Sequence, residues 1–411
     1  MNKRNKGWIV TVGAMGVNLA LGCFYSWSII AAALVKELGY TKTQASLPFT
    51  ALILLSALMM VPGGRIFDRY GPRVCGVIGG ICTGIGFLLS GYATSLPMLV
   101  VSFGLIFGIG LGVGYAGTIP AAVSWFPPQK RGMIGGLVVA ALGFSSVYVA
   151  PLTQYLLSNV GIQKTFIIEG IAFMIAILIF AQFLSRPTAD YKAEEAPDSS
   201  PSVPPTPQRQ YTPSEMLSTY QFYLIWCMYA FGVVAGLMVT SQAAMIGTMQ
   251  ANIEWGFALV SLLAVCNCLG RFLGGWLSDN LGREKTLMLV FMVQMINMLL
   301  FRFYTNFSLL VCGITACGIC WGSLLGIFPA MTYDYYGLKH SGMNYGLVFT
   351  AYGIAGVIGP ITGGRIVDYT NSYNGAYLVA AAFLAIALVM LRFLKKPVDN
   401  PLNHEADALS A

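Results

Sequence analysis

Charge is the scarcest commodity in this sequence. Of 411 residues only 9% are Asp, Glu, Lys or Arg, against 56% hydrophobic, whereas an ordinary soluble chain is about 25% charged. A soluble globule is thereby excluded, and the long apolar runs describe a polytopic membrane protein. Histidine is nearly missing as well: His340 and His404 lie in a loop and a tail. Without histidine at depth there is no ready nucleophile–base pair or metal site, so no enzyme and no metal are expected. The phosphate-cradling pattern G-x-x-x-x-G-K-[ST] is missing, so ATP does not drive this protein by that motif. The glycine-rich run Ser102–Gly117 instead spaces Gly104, Gly108 and Gly112 by four, a close-packing pattern. Nine cysteines lie in or at the edge of apolar runs with no histidine beside them; they read as small core residues, and no cofactor is implied. A net charge of +7 would suit nucleic acid, but the basic residues sit in short connections where topology explains them. No nucleic-acid partner is expected; the partner is membrane lipid.

What is present is twelve apolar runs, at about 8–35, 44–64, 74–92, 96–122, 132–157, 164–184, 220–248, 255–278, 285–304, 308–332, 342–367 and 373–394. The basic start followed by apolar chain resembles a signal peptide, but the run continues without a small-residue cleavage site and reads as the first span. Residues 186–219 hold seven prolines among acids and bases, a composition that cannot pack a core. They divide the chain into an N-terminal six-helix bundle (1–185), a cytoplasmic linker (186–219), a C-terminal six-helix bundle (220–396) and a tail (397–411). Thr212, Pro213 and Glu215 have capping-box spacing and predict a short helix ahead of span seven. Seventeen of the 23 Lys and Arg fall on one side of the spans and five on the other. The positive-inside rule puts both termini and the linker in the cytoplasm of a cell, inner or plasma, membrane.

The halves repeat. GGRIFDRYGPR (Gly63–Arg73) recurs as GGWLSDNLGRE (Gly274–Glu284), IPAAVSWF (Ile119–Phe126) as FPAMTYDY (Phe328–Tyr335), and RGMIGGLVV (Arg131–Val139) as SGMNYGLVF (Ser341–Phe349). Parallel six-span repeats related by an axis along the membrane normal are a transporter architecture with the substrate site between the halves. The one basic residue inside a span is Arg271, in Trp255–Ser278. A cation there costs at least about 2.5–3.5 kcal/mol, which points to an anion site. The alternatives at this stage are a side chain that snorkels to the headgroups or one paired with a carboxylate of another helix.

The pattern Gly64, Asp68, Arg69, Gly71, Arg73 resembles the signature of the major facilitator superfamily between its second and third helices. The reading is a latch that breaks as the halves rock. Its partial copy at Asp279 and Arg283 has Asn280 in place of a basic residue, which predicts a weaker contact. Within that superfamily the chain is similar to the oxalate/formate antiporter and monocarboxylate transporter group, through GCFYSW (Gly22–Trp27), GVGYAG (Gly112–Gly117), WFPPQKRG (Trp125–Gly132), NCLGRFLGG (Asn267–Gly275) and NYGLVFTAYG (Asn344–Gly353). The resemblance implies a twelve-helix all-α membrane fold of two pseudo-symmetric bundles and puts the family's anion-binding arginine on Arg271. It implies cavity aromatics at Tyr25, Tyr115 and Trp321, for each of which ordinary helix packing is an equal alternative.

Two departures refine this. The second cation of the oxalate carrier falls on Tyr352, which leaves one positive charge at depth and favours a monocarboxylate. The acid that animal-type monocarboxylate carriers place four residues before the arginine is Asn267, one turn away on the same face, so their proton pathway does not carry over. Glu169 is the one acid well inside a span; it is the candidate for proton coupling, with a structural role the favoured reading. The expected function is alternating-access transport of a small lactate- or pyruvate-like monocarboxylate, with a proton or in exchange, by a functional monomer. An oxalate/formate-type antiporter or a carrier of neutral polar solutes remains the alternative.

Overall fold

A computed structural model describes residues 3–40, 42–188, 209–252 and 257–397. The stretch 189–208 of the linker and the tail from 398 onwards lie outside the described residues.

The first half comprises α1 (Lys3–Leu21), a 3-10 turn (Gly22–Ser26), α2 (Trp27–Leu38), α3 (Lys42–Tyr70), α4 (Pro72–Gly91), α5 (Leu96–Leu99), a π-helical stretch (Val100–Ile106), α6 (Phe107–Val123) and α7 (Arg131–Ala181). The second comprises α8 (Pro213–Leu217), α9 (Tyr220–Ala251), α10 (Phe257–Leu281), α11 (Arg283–Phe301), α12 (Phe307–Tyr336), α13 (Ser341–Thr370) and α14 (Asn374–Leu391). Eleven of these stretches are long and apolar enough to cross a membrane. One of them holds two spans: within α7 the chain reverses at Gly161, whose φ of 78° and ψ of 174° are open to a residue without a Cβ. That makes twelve spans, in two six-helix bundles.

Two spans differ from their expected form. The first, expected as one helix, is interrupted by the Gly22–Ser26 turn, and the fourth carries the π-helical stretch at Val100–Ile106. Hydropathy is blind to both, because the interrupting residues are themselves apolar or small. The short helix ahead of span seven is there as α8, with Thr212 and Glu215 capping each other's backbone amides.

The bundles meet along α3 against α13 and α7 against α10, and each contact is closed at its cytoplasmic end by a carboxylate. Asp68, at the end of α3, accepts from the Gly342 and Met343 amides at 3.1 and 3.0 Å, the first turn of α13. Asp279, at the end of α10, accepts from the Gly132 and Met133 amides at 2.9 and 2.7 Å, the first turn of α7. An anion on unpaired helix N–H groups is favoured by both hydrogen bonding and the helix dipole. Gly64 crosses backbone-to-backbone against Gly342, as Gly275 does against Gly132. Gly71 turns the chain into α4 with φ 88°, Arg73 donates to the Gln182 carbonyl at 2.9 Å, and Arg69 lies over the Tyr70 ring.

The second contact was expected to be the weaker, yet it holds the denser network. Arg283 binds Asp279 and reaches Asp334 at 2.9 Å, and Arg131 of the other bundle reaches Asp334 at 3.2 Å. Its cations arrive from four residues on and from across the interface, so Asn280 leaves nothing missing. Among the described residues Asp68 forms an ion pair with Arg186 alone, at 3.8 Å.

The linker's described ends are anchored at the Asp68 contact. Arg186 donates to the Phe67 and Asp68 carbonyls. Gln210 accepts from the Leu338 and Lys339 amides, and the Tyr211 carbonyl accepts from Asn344.

Two outcomes are expected. Asp279→Ala should open the cytoplasmic side more than Asp68→Ala, each losing charged hydrogen bonds worth about 1.5–3 kcal/mol, roughly tenfold or more in the ratio of states. Labelling of a Phe349→Cys reporter by a cytoplasmic thiol reagent, in an otherwise cysteine-free chain, measures this. Separately, a methyl at Gly136 would lie 2.6 Å from the Arg271 carbonyl oxygen, whereas one at Gly135 meets nothing nearer than 3.6 Å. Gly136→Ala should therefore cost about 1–3 kcal/mol and Gly135→Ala almost nothing, as read by thermal unfolding.

Candidate functional site

Arg271 lies within α10 and is 3% exposed, because α7 and α12 close over the helix on either side. Gly136 of α7 and Gly326 of α12 both abut the Arg271 carbonyl, and Gly143 of α7 leaves room for the guanidinium itself. Small residues let backbones approach in this way. The side chain therefore cannot reach the headgroups.

Every nitrogen of the guanidinium donates to a neutral group. Nε donates to Asn267 Oδ1 at 3.0 Å, one turn away on α10; Nη1 to the Val139 carbonyl of α7 at 2.8 Å; Nη2 to the Tyr25 hydroxyl at 3.3 Å. Among the described residues no carboxylate pairs with it; the five ion pairs given by the structure all lie at cytoplasmic ends. Neither snorkelling nor an internal ion pair accounts for this arginine. Its donors reach across the bundle interface, since Val139 and Tyr25 belong to the first half. Tyr25 is presented by the Gly22–Ser26 turn, so the break in the first span is what delivers its hydroxyl.

Tyr115 of α6 and Tyr352 of α13 lie within electrostatic reach of the guanidinium. The site so assembled holds one cation, three phenols and an amide, and the Asn267 Nδ2 is buried without a partner. That set can bind one carboxylate through Arg271 and orient the remainder by hydroxyl and amide hydrogen bonds. Trp321 belongs to α12. Its ring packs on Gly236 of α9, and its indole Nε1 is buried with no protein partner.

Glu169 makes no ion pair with Arg271. It is 1% exposed, accepts from the Thr153 hydroxyl at 2.5 Å, and has its second oxygen buried without a partner. Cys23 and Tyr148 lie within electrostatic reach of it. The carboxyl thus ties the fifth span to the sixth behind the turn that carries Tyr25.

Three aromatics that the sequence alone did not single out border the site. Phe349 stacks on Tyr352 with ring centroids 5.1 Å apart and meets Tyr115 of the other bundle at 5.8 Å. Tyr345 and Tyr229 pack on the same phenylalanine at 5.7 and 6.4 Å. Tyr345, Phe349 and Tyr352 follow the i, i+4, i+7 spacing of one helix face, a signal already present in NYGLVFTAYG.

The profile of the Major Facilitator Superfamily matches residues 12–296 and 232–410. The chain is 25% identical to the oxalate:formate antiporter of Oxalobacter formigenes, over 97% of this chain and 93% of that one. It is likewise 25% identical to monocarboxylate transporter 13 of Rattus norvegicus, over 92% and 86%. Among solved structures, the fucose:proton symporter FucP of E. coli, in its outward conformation, shares the fold with a TM-score of 0.73 at 16% identity, covering 94% of this chain and 99% of that one. With its spans, its paired bundles and these full-length likenesses, the chain belongs to the Major Facilitator Superfamily and is a multi-pass transporter of the cell membrane.

Proposed function

We propose that this transporter carries a small monocarboxylate, of the lactate or pyruvate kind, by alternating access, in exchange for another anion or with a proton, as a functional monomer. The observation that carries the reading is Arg271: a buried cation between the bundles, bonded to neutral groups and to no acid. The anion transporters among its relatives support the substrate class. Asn267, Tyr25, Tyr115 and Tyr352 are the groups that would surround the bound anion, with Trp321 of α12 as a further candidate.

A single cation sets the substrate's charge. A dicarboxylate would leave one group unpaired, and at an effective dielectric of about 20 that forfeits on the order of 4 kcal/mol, about a thousandfold in affinity. A neutral polar solute would leave the guanidinium's charge uncompensated.

The cycle follows from the same contacts. The Val139 carbonyl and Tyr25 hydroxyl satisfy hydrogen bonds of the guanidinium and tie the bundles together. A carboxylate that takes those donors both neutralises the charge and loosens the tie. The loaded carrier then reorients more readily than the empty one, which favours exchange or trans-stimulation. For proton coupling the candidate group is Glu169, whose carboxyl already serves as the tie to Thr153.

Uptake of labelled lactate into proteoliposomes, with internal unlabelled anion and with or without a pH gradient, tests the reading. Arg271→Gln should reduce uptake about a hundredfold or more with the protein still in the membrane, the loss of a charge-assisted pair; intact uptake refutes the anion site. Tyr352→Lys supplies a second cation beside the first, and the expected outcome is a gain of dicarboxylate transport at the expense of lactate.

A further inference from the structure

The aromatics below Arg271 contain a pair of polar atoms that the proposed cycle does not use. Tyr229 of α9 and Tyr345 of α13 are 0% and 1% exposed, and their hydroxyls are buried with no protein hydrogen-bond partner but each other. The hydroxyls face one another across the α9–α13 interface, and Tyr229 lies within electrostatic reach of Arg271. Tyr345 stands two turns nearer the start of α13 than Tyr352, about 10 Å towards the cytoplasm at 1.5 Å per residue. Phe349 packs between Tyr352 and Tyr115 on one side and Tyr345 on the other, while Tyr229 meets both Phe349 and, at 6.5 Å, the Tyr352 ring. Beneath the pair, α13 begins at the amides that hold Asp68.

Two phenols that can bond only to one another leave one O–H without an acceptor, and buried polar groups left so are uncommon because they forfeit the hydrogen bonds made in water. Two that converge, with no carboxylate among the described residues to accept from them, suit a ligand rich in acceptor oxygens. When the Asp68 and Asp279 contacts part, the first bundle leaves this face, and the pair comes to line the cytoplasmic way to Arg271.

We infer that Tyr229 and Tyr345 form a second, cytoplasm-side station for the carboxylate, with Phe349 packed between Tyr345 and the Arg271 site. The inference rests on the anion reading of Arg271. The outer approach ends at Arg271, whereas an anion arriving from the cytoplasm meets the two phenols first. The station therefore affects apparent affinity from one face only.

The test removes the hydroxyls and keeps the rings: Tyr229→Phe, Tyr345→Phe and the double variant, assayed by labelled-lactate exchange in right-side-out and inside-out vesicles. The half-saturating concentration at the cytoplasmic face should rise roughly three- to tenfold, with the outer face unchanged. Unchanged values at both faces, with altered thermal unfolding, would assign the hydroxyls to packing and overturn the inference. An equal rise at both faces would overturn it too, by assigning them to the Arg271 site. Arg271→Gln, run alongside, separates the two levels. If that variant transports normally, the anion reading falls and takes this one with it; if it is inactive while the tyrosine variants behave alike at both faces, only the station falls.

Discussion

A positive charge with no negative partner is the constraint that shapes this protein. Arg271 is held in a low-dielectric interior by a carbonyl, an amide and a phenol. Such groups satisfy its hydrogen bonds and leave its charge. Desolvating an unpaired ion is costly, and the chain retains that cost where ordinary packing would have replaced the residue. Glycines on both flanking helices admit the side chain, a turn in the first span brings it a hydroxyl, and the ion-paired acids among the described residues lie at the cytoplasmic ends.

The same interface is built twice with different chemistry. Both contacts set a carboxylate on the first turn of a helix from the opposite bundle, a geometry inherited from the internal repeat. Around Asp279 four charged groups interlock, while Asp68 depends mainly on amides and one distant guanidinium. Partly buried networks are screened less by salt than exposed pairs. Pseudo-symmetry in backbone therefore coexists with asymmetry in strength, and the α3–α13 side is the softer of the two seams.

Much of this was legible beforehand. The spans and their orientation could be read because apolar length and the placement of Lys and Arg are properties of sequence alone, and the repeats set the pairing of halves. Arg271 stood out because a charge in an apolar run has no neutral explanation. Tyr25, Tyr115 and Tyr352 came from a resemblance, and the structure brings them to the arginine. What escaped was everything carried by the backbone or by distant neighbours. The Val139 carbonyl has no letter of its own. The turn at Gly22–Ser26 is as apolar as the helices it separates. Asp279 was judged by the residue beside it, whereas its partners are Arg283 one turn on and, through Asp334, Arg131 from the other half. Tyr229 and Tyr345 looked like any aromatic in a hydrophobic helix.

The anchoring of the linker has a consequence of its own. Arg186 is bound beside Asp68, and Gln210 and Tyr211 are bound to the turn and first residues of the helix that Asp68 caps. Both ends of the interdomain tether thus converge on one seam, each bolted to a different body. Its span is shortest when that seam is shut and must lengthen as the seam parts. The chain between the two anchors, about 80 Å at full extension, exceeds any such displacement, so the tether can keep hold of both bodies while the cytoplasmic mouth opens.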